Sequence, residues 1–305
     1  MPVDQTAEEP ELARRFADLW HVLLNDGRSR RTGENRKLLL DQVRDALDRG
    51  DSRLAERRQD IIANSFVLEE QLHDGSLTQV HRARHRDIGS FHTIKMLQPK
   101  HAHDPLARQL LLREAKIGLS LRHANIVATQ VLLRLDDGQP ALVFECCEKT
   151  LAARMVEERF SASDIIATMQ GILSGLLAIH GQAIVHGDLS PSNLLCNGQK
   201  LETIMIADFG IALEAGHRQS ELDIRFAGQP DFAPPEQKEG KELDCRADLY
   251  AAGRIMTLLL ENCSNPDRTA GLYELACRLS RPRAEERPEN AKAALLMLGG
   301  LSNSH

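Results

Sequence analysis

Three polar side chains at the ends of two apolar segments could together bind a divalent cation. The apolar pair 184–185 leads into a polar turn that carries Asp188 and Asn193, and the largely apolar run 203–207 ends at Asp208. An apolar run that ends in a polar turn is typical of a buried strand that presents side chains at its tip. Two carboxylates and an amide are hard oxygen ligands, which suit Mg²⁺ better than Zn²⁺. A magnesium site at such a turn indicates a substrate that carries phosphate groups.

A lysine and a glutamate in two further apolar segments are expected to form an ion pair. Lys95 lies in the strand-like segment 91–97, where an unpaired ammonium group would be costly. In the helix that follows, Glu114 interrupts an apolar stripe between Leu110 and Ile117. Because each charge would be unfavourable in its segment alone, the two side chains are predicted to meet.

The composition restricts the classes of protein to consider. At 305 residues, with 42% hydrophobic and 27% charged residues, the chain has the composition of a soluble globular protein. The formal net charge of −6 argues against nucleic acid as a main partner. The six cysteines include no C-x-x-C spacing, which favours reduced thiols in a cytoplasm. The apolar runs are shorter than the ~20 residues of a membrane span, and the N-terminus lacks a signal sequence. A cytoplasmic protein without a membrane span is therefore expected.

The sequence changes character near residue 65. Residues 1–64 have apolar residues at helical spacing and predict a helical N-terminal extension, with a last helix over 54–62. This extension is either a regulatory or docking module or a scaffold that packs on the next domain, and the sequence leaves both open. Strand-like segments around one helix follow as far as residue 147, and helical patterns dominate 148–300.

The order of these motifs resembles the eukaryotic-like (Hanks-type) serine/threonine protein kinases of bacteria, over roughly residues 66–299. The resemblance implies an α+β, bilobal protein-kinase fold, with a small β-rich N-lobe plus the αC helix over 65–147 and a larger helical C-lobe over 148–300. Together the lobes would form a protein kinase domain, 65–300, after the helical N-terminal extension. The elements that carry the resemblance are the Lys95 strand and Glu114 helix, His186-Gly187-Asp188, Asp208-Phe209-Gly210, the segment 231–236, Asp248 and Arg287-Pro288.

The resemblance also implies roles for individual residues. Asp188 corresponds to the catalytic base, and Lys95 with Glu114 corresponds to the ion pair that orients the α- and β-phosphates of ATP. Asn193 and Asp208 correspond to the ligands of Mg²⁺ or Mn²⁺. The residues expected to bind the nucleotide cofactor are Leu72, Gly75, Val80, Thr93, Lys95, Glu145, Cys147, Asn193 and Asp208.

Two departures from the family pattern concern loops. Gly75 is the single glycine of the phosphate loop, with His73 and Thr78 at the other two glycine positions. Gly187 stands where many kinases have an arginine that pairs with an activation-loop phosphate. The resemblance therefore implies a non-RD kinase with an atypical glycine loop, which needs no loop phosphorylation to become active.

Further departures concern charge and packing. Ser190 replaces a lysine that usually helps to neutralise the γ-phosphate, and Gln229 replaces the threonine with which that lysine usually pairs. Since both members of one hydrogen-bonded pair differ, we expect a replacement pair and lower turnover. Gly118 replaces a bulky residue of the packing spine, four residues after Glu114.

The resemblance implies a serine/threonine protein kinase that transfers the γ-phosphate of ATP to protein hydroxyl groups. Its partners would be a protein substrate and, as for related bacterial kinases, a phosphopeptide-binding protein and a cognate phosphatase. The sequence leaves two alternatives open. One is a small-molecule phosphotransferase of the aminoglycoside or choline kinase type, which shares the His-Gly-Asp-Leu loop. The other is an ATP-binding pseudokinase scaffold, which the reduced glycine loop favours.

Overall fold

The computed structural model describes residues 8–26, 29–33, 36–37, 39–45, 61–135, 137–198, 203–222, 228–265 and 269–302. The chain divides between residues 60 and 61 into two compact units.

The N-terminal unit is helical at its start. Helix α1 spans Glu8–Leu24, and the short strands β1 (Asn25–Asp26) and β2 (Ser29–Arg30) pair antiparallel after it. Residues 39–45 are also helical. The predicted helical character of the extension is thus confirmed at 8–24 and 39–45, whereas residues 25–26 and 29–30 form strands. The predicted helix over 54–60 lies outside the described residues.

The second unit begins with an antiparallel six-stranded sheet. Residues 61–62 form its edge strand and pair with Val67 and Phe66, so the prediction that they end a helix is wrong. The sheet therefore starts before residue 65, and the division into domains 1–64 and 65–300 stays a prediction. In the spatial order β3-β4-β5-β6-β8-β7, the strands are β3 (Ile61–Ile62), β4 (Phe66–Asp74), β5 (Thr78–His85), β6 (Phe91–Leu97), β8 (Pro140–Glu145) and β7 (Thr129–Arg134).

One helix packs against this sheet and carries a candidate residue, Glu114. Helix α2 spans Pro105–Ser120 and is capped by Asp104, whose carboxylate accepts hydrogen bonds from the backbone N–H groups of Leu106 and Ala107. This packing places the buried face of the helix, with Glu114, towards the sheet. The helix and the sheet share an apolar cluster formed by Leu97, Ala107, Leu111, Ala115 and Leu142.

The rest of this unit is mainly helical. Its core contains fully buried side chains such as Ile172, Leu176 and Leu259. By length and composition α4, with a mean hydropathy of 1.5, is the one described helix that could cross a membrane, but its apolar residues pack in this core. The helices are α3 (Leu151–Glu157), α4 (Ala162–His180), α5 (Pro235–Lys238), α6 (Cys245–Glu261), α7 (Ala270–Leu279) and α8 (Ala291–Ser302).

Short strands bring the two polar turns together. In one antiparallel pair Leu194 lies opposite Ile206. Asn193, directly before the first strand, and Asp208, shortly after the second, therefore lie at the same end of this pair. The short strands are β9 (Lys149–Thr150), β10 (Ile184–Val185), β11 (Leu194–Cys196), β12 (Met205–Ile206) and β13 (Leu213–Glu214), with β9-β11-β12 and β10-β13 as neighbours.

Candidate active site

A buried lysine lies between two carboxylates. Lys95 Nζ lies 2.8 Å from Glu114 Oε2 and 2.8 Å from Asp208 Oδ1. Lys95 and Glu114 are 7% and 3% exposed, whereas the Asp208 side chain is 43% exposed. The ion pair expected from the sequence is present, and Asp208 joins it from the polar turn.

Burial and neighbouring charges change the pKa values in this cluster. Burial alone would lower the pKa of Lys95, but Asp208 and Glu114 outweigh it and raise this pKa above its usual value. Burial raises the pKa of Glu114 to about 7, against the opposing effect of the Lys95 ammonium. Burial also acts to raise the pKa of Asp208, but Lys95 and a hydrogen bond from Gly210 hold it below its usual value. At neutral pH the cluster therefore contains an ammonium group and an ionised Asp208.

Asp208 has an unusual backbone conformation. Its φ angle is +68°, in the left-handed region that residues other than glycine seldom adopt. Within the turn its Oδ1 accepts a 3.0 Å hydrogen bond from the N–H of Gly210. Such strain, about 1–2 kcal/mol for one residue, is concentrated at functional sites, where the surrounding structure maintains it.

The other polar turn places Asp188 beside Asn193. Asn193 Nδ2 donates to Asp188 Oδ2 at 3.0 Å and to the Asp188 carbonyl oxygen at 2.8 Å. The N–H of Ala207 donates to the Asn193 carbonyl at 2.9 Å, which connects the two turns. Burial raises the pKa of Asp188, against the effect of His186 and with a further contribution from Asp208. The three residues that the sequence placed together thus lie on adjacent, hydrogen-bonded turns.

A buried carboxylate on helix α6 supports the Asp188 turn. Asp248, 1% exposed, accepts hydrogen bonds from the N–H groups of His186 at 2.8 Å and Gly187 at 2.9 Å. The ring Nε2 of His180 lies 2.9 Å from Asp248 Oδ2. Burial acts to raise the pKa of Asp248, but these contacts hold it below its usual value. The ionised carboxylate therefore fixes the backbone that leads into Asp188.

The loop before helix α5 binds to the same turn. The N–H of Gln229 donates to Asp188 Oδ1 at 3.1 Å, and its side-chain Nε2 donates to Ser190 Oγ at 2.8 Å. Gln237 Nε2 donates to the Gly187 carbonyl at 2.8 Å. These three hydrogen bonds hold the loop and helix α5 against the turn of the candidate catalytic aspartate.

A buried ion pair fixes helix α5, which follows this loop. Arg287, whose side chain is fully buried, lies 2.6 Å and 2.9 Å from the two carboxylate oxygens of Glu236. The guanidinium also donates to the carbonyl groups of Arg246, Arg281 and Pro282. A buried charge pair is favourable when its remaining donors are satisfied in this way. The ion pair of Glu236 with Arg287 is therefore part of a complete network.

A family profile described as the protein kinase domain matches residues 66–278, which is more than half of the chain. The chain belongs to the protein kinase family. It is 32% identical to the serine/threonine-protein kinase Pkn1 of Myxococcus xanthus over 206 residues, which cover 64% of this chain and 29% of Pkn1. It is 30% identical to the serine/threonine-protein kinase PkaA of Streptomyces coelicolor over 210 residues, which cover 64% of this chain and 38% of PkaA. The matched region is thus about a third of the length of these relatives.

The fold is similar to a solved kinase structure. The crystal structure of the Mycobacterium tuberculosis PknI kinase domain, a double mutant, matches with a TM-score of 0.62 at 20% identity, over 80% of this chain and 98% of that one. The predicted α+β, bilobal kinase fold and the resemblance to bacterial serine/threonine kinases are confirmed. Helix α2 is the αC helix of this fold, and residues 208–210 are its Asp-Phe-Gly element.

Several residues predicted to bind the kinase nucleotide share one face of the sheet. Val80 lies opposite Lys95 in the neighbouring strand, and Thr93 is two residues before Lys95, so the three side chains point to the same side. Glu145 ends strand β8, and Cys147 follows it. Burial raises the pKa of Cys147 to about 12, with a further contribution from Glu145, so this thiol is protonated at neutral pH. Their contacts with a nucleotide stay a prediction.

The glycine in the αC helix is matched by a residue of strand β7. A Cβ atom at Gly118 would lie 2.2 Å from Thr129 Oγ1, so a side chain at 118 would require Thr129 to move. Thr129 is 1% exposed, and its hydroxyl has no hydrogen-bond partner among the described residues. The space left by the missing bulky residue of the helix is therefore occupied from the neighbouring strand.

Two residues of this site were missed by the sequence analysis. His180 contacts Asp248 across 68 positions of sequence, and Gln237 contacts Gly187 across 50. Neither belongs to a spacing pattern. The only available signal was the general requirement that a buried aspartate such as Asp248 has hydrogen-bond donors around it.

Proposed function

We propose that this chain is an ATP-dependent serine/threonine protein kinase that transfers the γ-phosphate of ATP to protein hydroxyl groups. The observation that carries the proposal is the cluster of Lys95, Glu114 and Asp208 beside the hydrogen-bonded pair of Asp188 and Asn193. Phosphoryl transfer depends mainly on the positioning of the reactants and on the neutralisation of charge, and these residues can supply both.

The residues fit a nucleotide that carries a metal ion. Asp208 uses Oδ1 for Lys95 and Gly210, and Asn193 donates through Nδ2, so each retains an oxygen that could face a cation. Oxygen ligands of this kind suit Mg²⁺ or Mn²⁺, and the bound ion would neutralise phosphate charge. The described residues contain no group of three or more His, Cys, Asp or Glu that could hold a metal ion. Phosphate oxygens would therefore complete the coordination.

The chain's own residues would perform the remaining tasks. Lys95, kept in place by Glu114, would bind the α- and β-phosphates. Asp188 would orient the substrate hydroxyl and accept its proton. The hydrogen bonds from Asn193 and from the N–H of Gln229 hold the carboxylate of Asp188 for this purpose.

A protein substrate is favoured over a small molecule by the loop before helix α5. This loop is fixed to the Asp188 turn by Gln229, and the helix that follows it is fixed by Gln237 and by the ion pair of Glu236 with Arg287. An extended chain segment needs such a rigid surface beside the catalytic residue, whereas a small alcohol does not. We therefore place the peptide of the substrate along this loop.

An assay with γ-labelled ATP tests the proposal. The purified chain is incubated with Mg²⁺ and labelled ATP, in separate reactions with casein, an aminoglycoside and choline. Label in casein, or in the chain itself, is expected. Label only in a small molecule would instead identify a small-molecule phosphotransferase. Thermal stabilisation by Mg²⁺-ATP without any transfer would identify a pseudokinase scaffold.

We also propose that the enzyme is of the non-RD type and active without phosphorylation of its activation segment. Gly187 leaves no arginine to bind a phosphate, and Gln219, 3% exposed, lies close to it instead. Leu222 packs against an apolar cluster that includes Val185 and Leu243. Buried contacts of this kind hold the described first part of the segment, residues 210–222, without added charge.

Removal of the hydroxyl group in this segment is therefore expected to leave the enzyme active. Ser220 is the only hydroxyl-bearing residue between Gly210 and Pro235, and it is exposed. A Ser220→Ala variant should keep its initial phosphorylation rate within about twofold of the wild-type rate. This corresponds to a change of less than ~0.4 kcal/mol in the activation free energy. A phosphatase-treated wild-type sample serves as the control. A large loss of activity in both samples would show that phosphorylation of the segment is required.

The pair of Ser190 and Gln229 gives a prediction about turnover. Ser190 is completely buried and accepts a hydrogen bond from Gln229. Because a lysine side chain is larger than serine, a lysine at position 190 needs a smaller residue than glutamine at position 229. The variant Ser190→Lys/Gln229→Thr restores the usual kinase pair and is expected to raise kcat about tenfold, because the added cation stabilises charge on the γ-phosphate. Steady-state kinetics with casein measure the effect, with Gln229→Thr alone as the control. A double variant no faster than wild type would contradict the prediction.

The proposal includes a cytoplasmic location and partners of the usual bacterial type. The six cysteines, all in described residues, are free thiols, which is consistent with a reducing compartment. A phosphopeptide-binding protein and a cognate phosphatase are proposed on the family resemblance alone. Cell fractionation tests the location, and co-purification with wild type but not with an inactive variant tests phosphate-dependent partners.

A further inference from the structure

The turn of the β4–β5 hairpin, which contains Gly75, is bound by a glutamine that no motif includes. Gln98 directly follows the Lys95 strand and is 8% exposed. Its Nε2 donates to Asp74 Oδ1 at 2.5 Å and also to the Gly75 carbonyl oxygen. Its backbone N–H donates to the Leu77 carbonyl at 2.9 Å. Three hydrogen bonds therefore connect the turn to the end of the Lys95 strand.

Apolar packing provides a second anchor for the same turn. Leu77 packs against the cluster that joins the sheet, through Leu97, to the αC helix, through Ala107. Inside the turn the N–H of Gly75 donates to the Thr78 carbonyl at 2.9 Å. The turn is thus attached to the same strand and helix that carry the buried ion pair.

The attached loop carries one glycine where the family pattern has three. A loop with three glycines can adjust its backbone so that N–H groups approach phosphates closely. With His73 and Thr78 at two of these positions, the loop has less backbone freedom, so its geometry has to be set in advance. The hydrogen bonds of Gln98 to Asp74 and Gly75 lie where they can set this geometry, and the bond to Asp74 fixes the direction of its carboxylate.

We propose that Gln98 is a positioning residue for the phosphates of the nucleotide. It fixes the turn so that the tip, Ser76 and Leu77, contacts the phosphates through its backbone. This inference rests on the proposed kinase function, because it assumes that the phosphates lie between this turn and Lys95. It predicts that removal of the Gln98 amide weakens binding of phosphorylated nucleotides selectively.

A comparison of two ligands tests this selectivity. The full chain and a Gln98→Leu variant are titrated by calorimetry with Mg²⁺-ATP and with adenosine, which has no phosphates. The variant is expected to bind ATP about tenfold more weakly, the equivalent of one to two hydrogen bonds, and adenosine within about twofold of wild type. Gln71→Leu, an exposed change of the same type on strand β4, is the matched control and should change neither affinity.

A reciprocal exchange provides a rescue. Gln98→Glu alone places two carboxylates together and should weaken ATP binding at least as much as Gln98→Leu. Gln98→Glu/Asp74→Asn reverses donor and acceptor and should recover part of the loss. If Gln98→Leu does not fold, as judged by circular dichroism, Asp74→Ala gives the same ligand comparison from an exposed position.

The outcomes separate this inference from the proposed function. Equal loss of ATP and adenosine binding in the variant, or no loss of either, would overturn the positioning role of Gln98 while the kinase proposal stands. A wild-type chain that binds neither ligand would overturn the proposed function and this inference with it.

Discussion

An Asp188→Asn variant is expected to lose about 10³-fold in the rate of phosphate transfer, the usual range for removal of a catalytic base. The amide has nearly the same shape as the carboxylate, so the hydrogen bond from the N–H of Gln229 can form to the amide oxygen. The bond from Asn193 Nδ2 to Oδ2 is lost, but Asn193 Nδ2 still donates to the carbonyl oxygen of residue 188. The amide cannot accept the proton of the substrate hydroxyl, however. The variant should therefore fold and bind Mg²⁺-ATP like wild type, and the loss should fall on kcat.

Transfer of label from γ-labelled ATP to casein measures this effect, and calorimetry measures ATP affinity in the same preparations. Asp87→Asn, which makes the same chemical change at an exposed position between strands β5 and β6, serves as the matched control and should keep full activity. Equal incorporation of label by wild type and Asp188→Asn would show that Asp188 is not the catalytic base.

A Lys95→Met variant is expected to bind ATP about 100-fold more weakly and to be about 3 kcal/mol less stable. The ammonium group lies between the carboxylates of Glu114 and Asp208. Glu114 is the more deeply buried of these two residues and is 3% exposed. Removal of the ammonium group leaves a buried carboxyl group without a counterion, which must either stay ionised at a high free-energy cost or take up a proton. Urea unfolding measures the stability, with the exposed Lys116→Met, on the helix that carries Glu114, as the control.

A second substitution separates stability from binding. The double variant Lys95→Met/Glu114→Leu also removes the unpaired carboxyl group of Glu114, so it should regain a large part of the lost stability. Its ATP binding should stay weak, because the ammonium group of Lys95 is still missing. A double variant that is as unstable as Lys95→Met would show that packing, and not the unpaired charge, causes the loss.

The destabilisation should also depend on pH in a defined direction. Burial raises the pKa of Glu114 to about 7, from a usual value of 4.5, so the folded state binds this proton more tightly than the unfolded state. The contribution of this carboxyl to stability is therefore fully present below its usual pKa and is lost as the pH rises through the folded value. Without Lys95 its pKa rises further, so the gap between variant and wild type should be wider at about pH 8 than at about pH 6.

The sequence alone was sufficient for the parts of the site that follow from local patterns. An unpaired charge in an apolar strand and another in an apolar helical stripe predicted the contact of Lys95 with Glu114, because neither is favourable without the other. Polar turns after short apolar runs predicted that Asp188, Asn193 and Asp208 lie together. The order of these motifs was enough for the family and for the bilobal fold.

Only the tertiary structure revealed which residues hold these groups in place. The contacts of Gln98 with the β4–β5 turn and of His180 with Asp248 join segments far apart in sequence, and the neighbours of these two residues show no periodicity that marks them. In the same way, the fit of Thr129 against Gly118 depends on the distance between a helix and a strand. Side-chain periodicity encodes which face of an element is buried, but a hydrogen bond depends on how two backbones are placed relative to each other, and packing of the whole domain determines that.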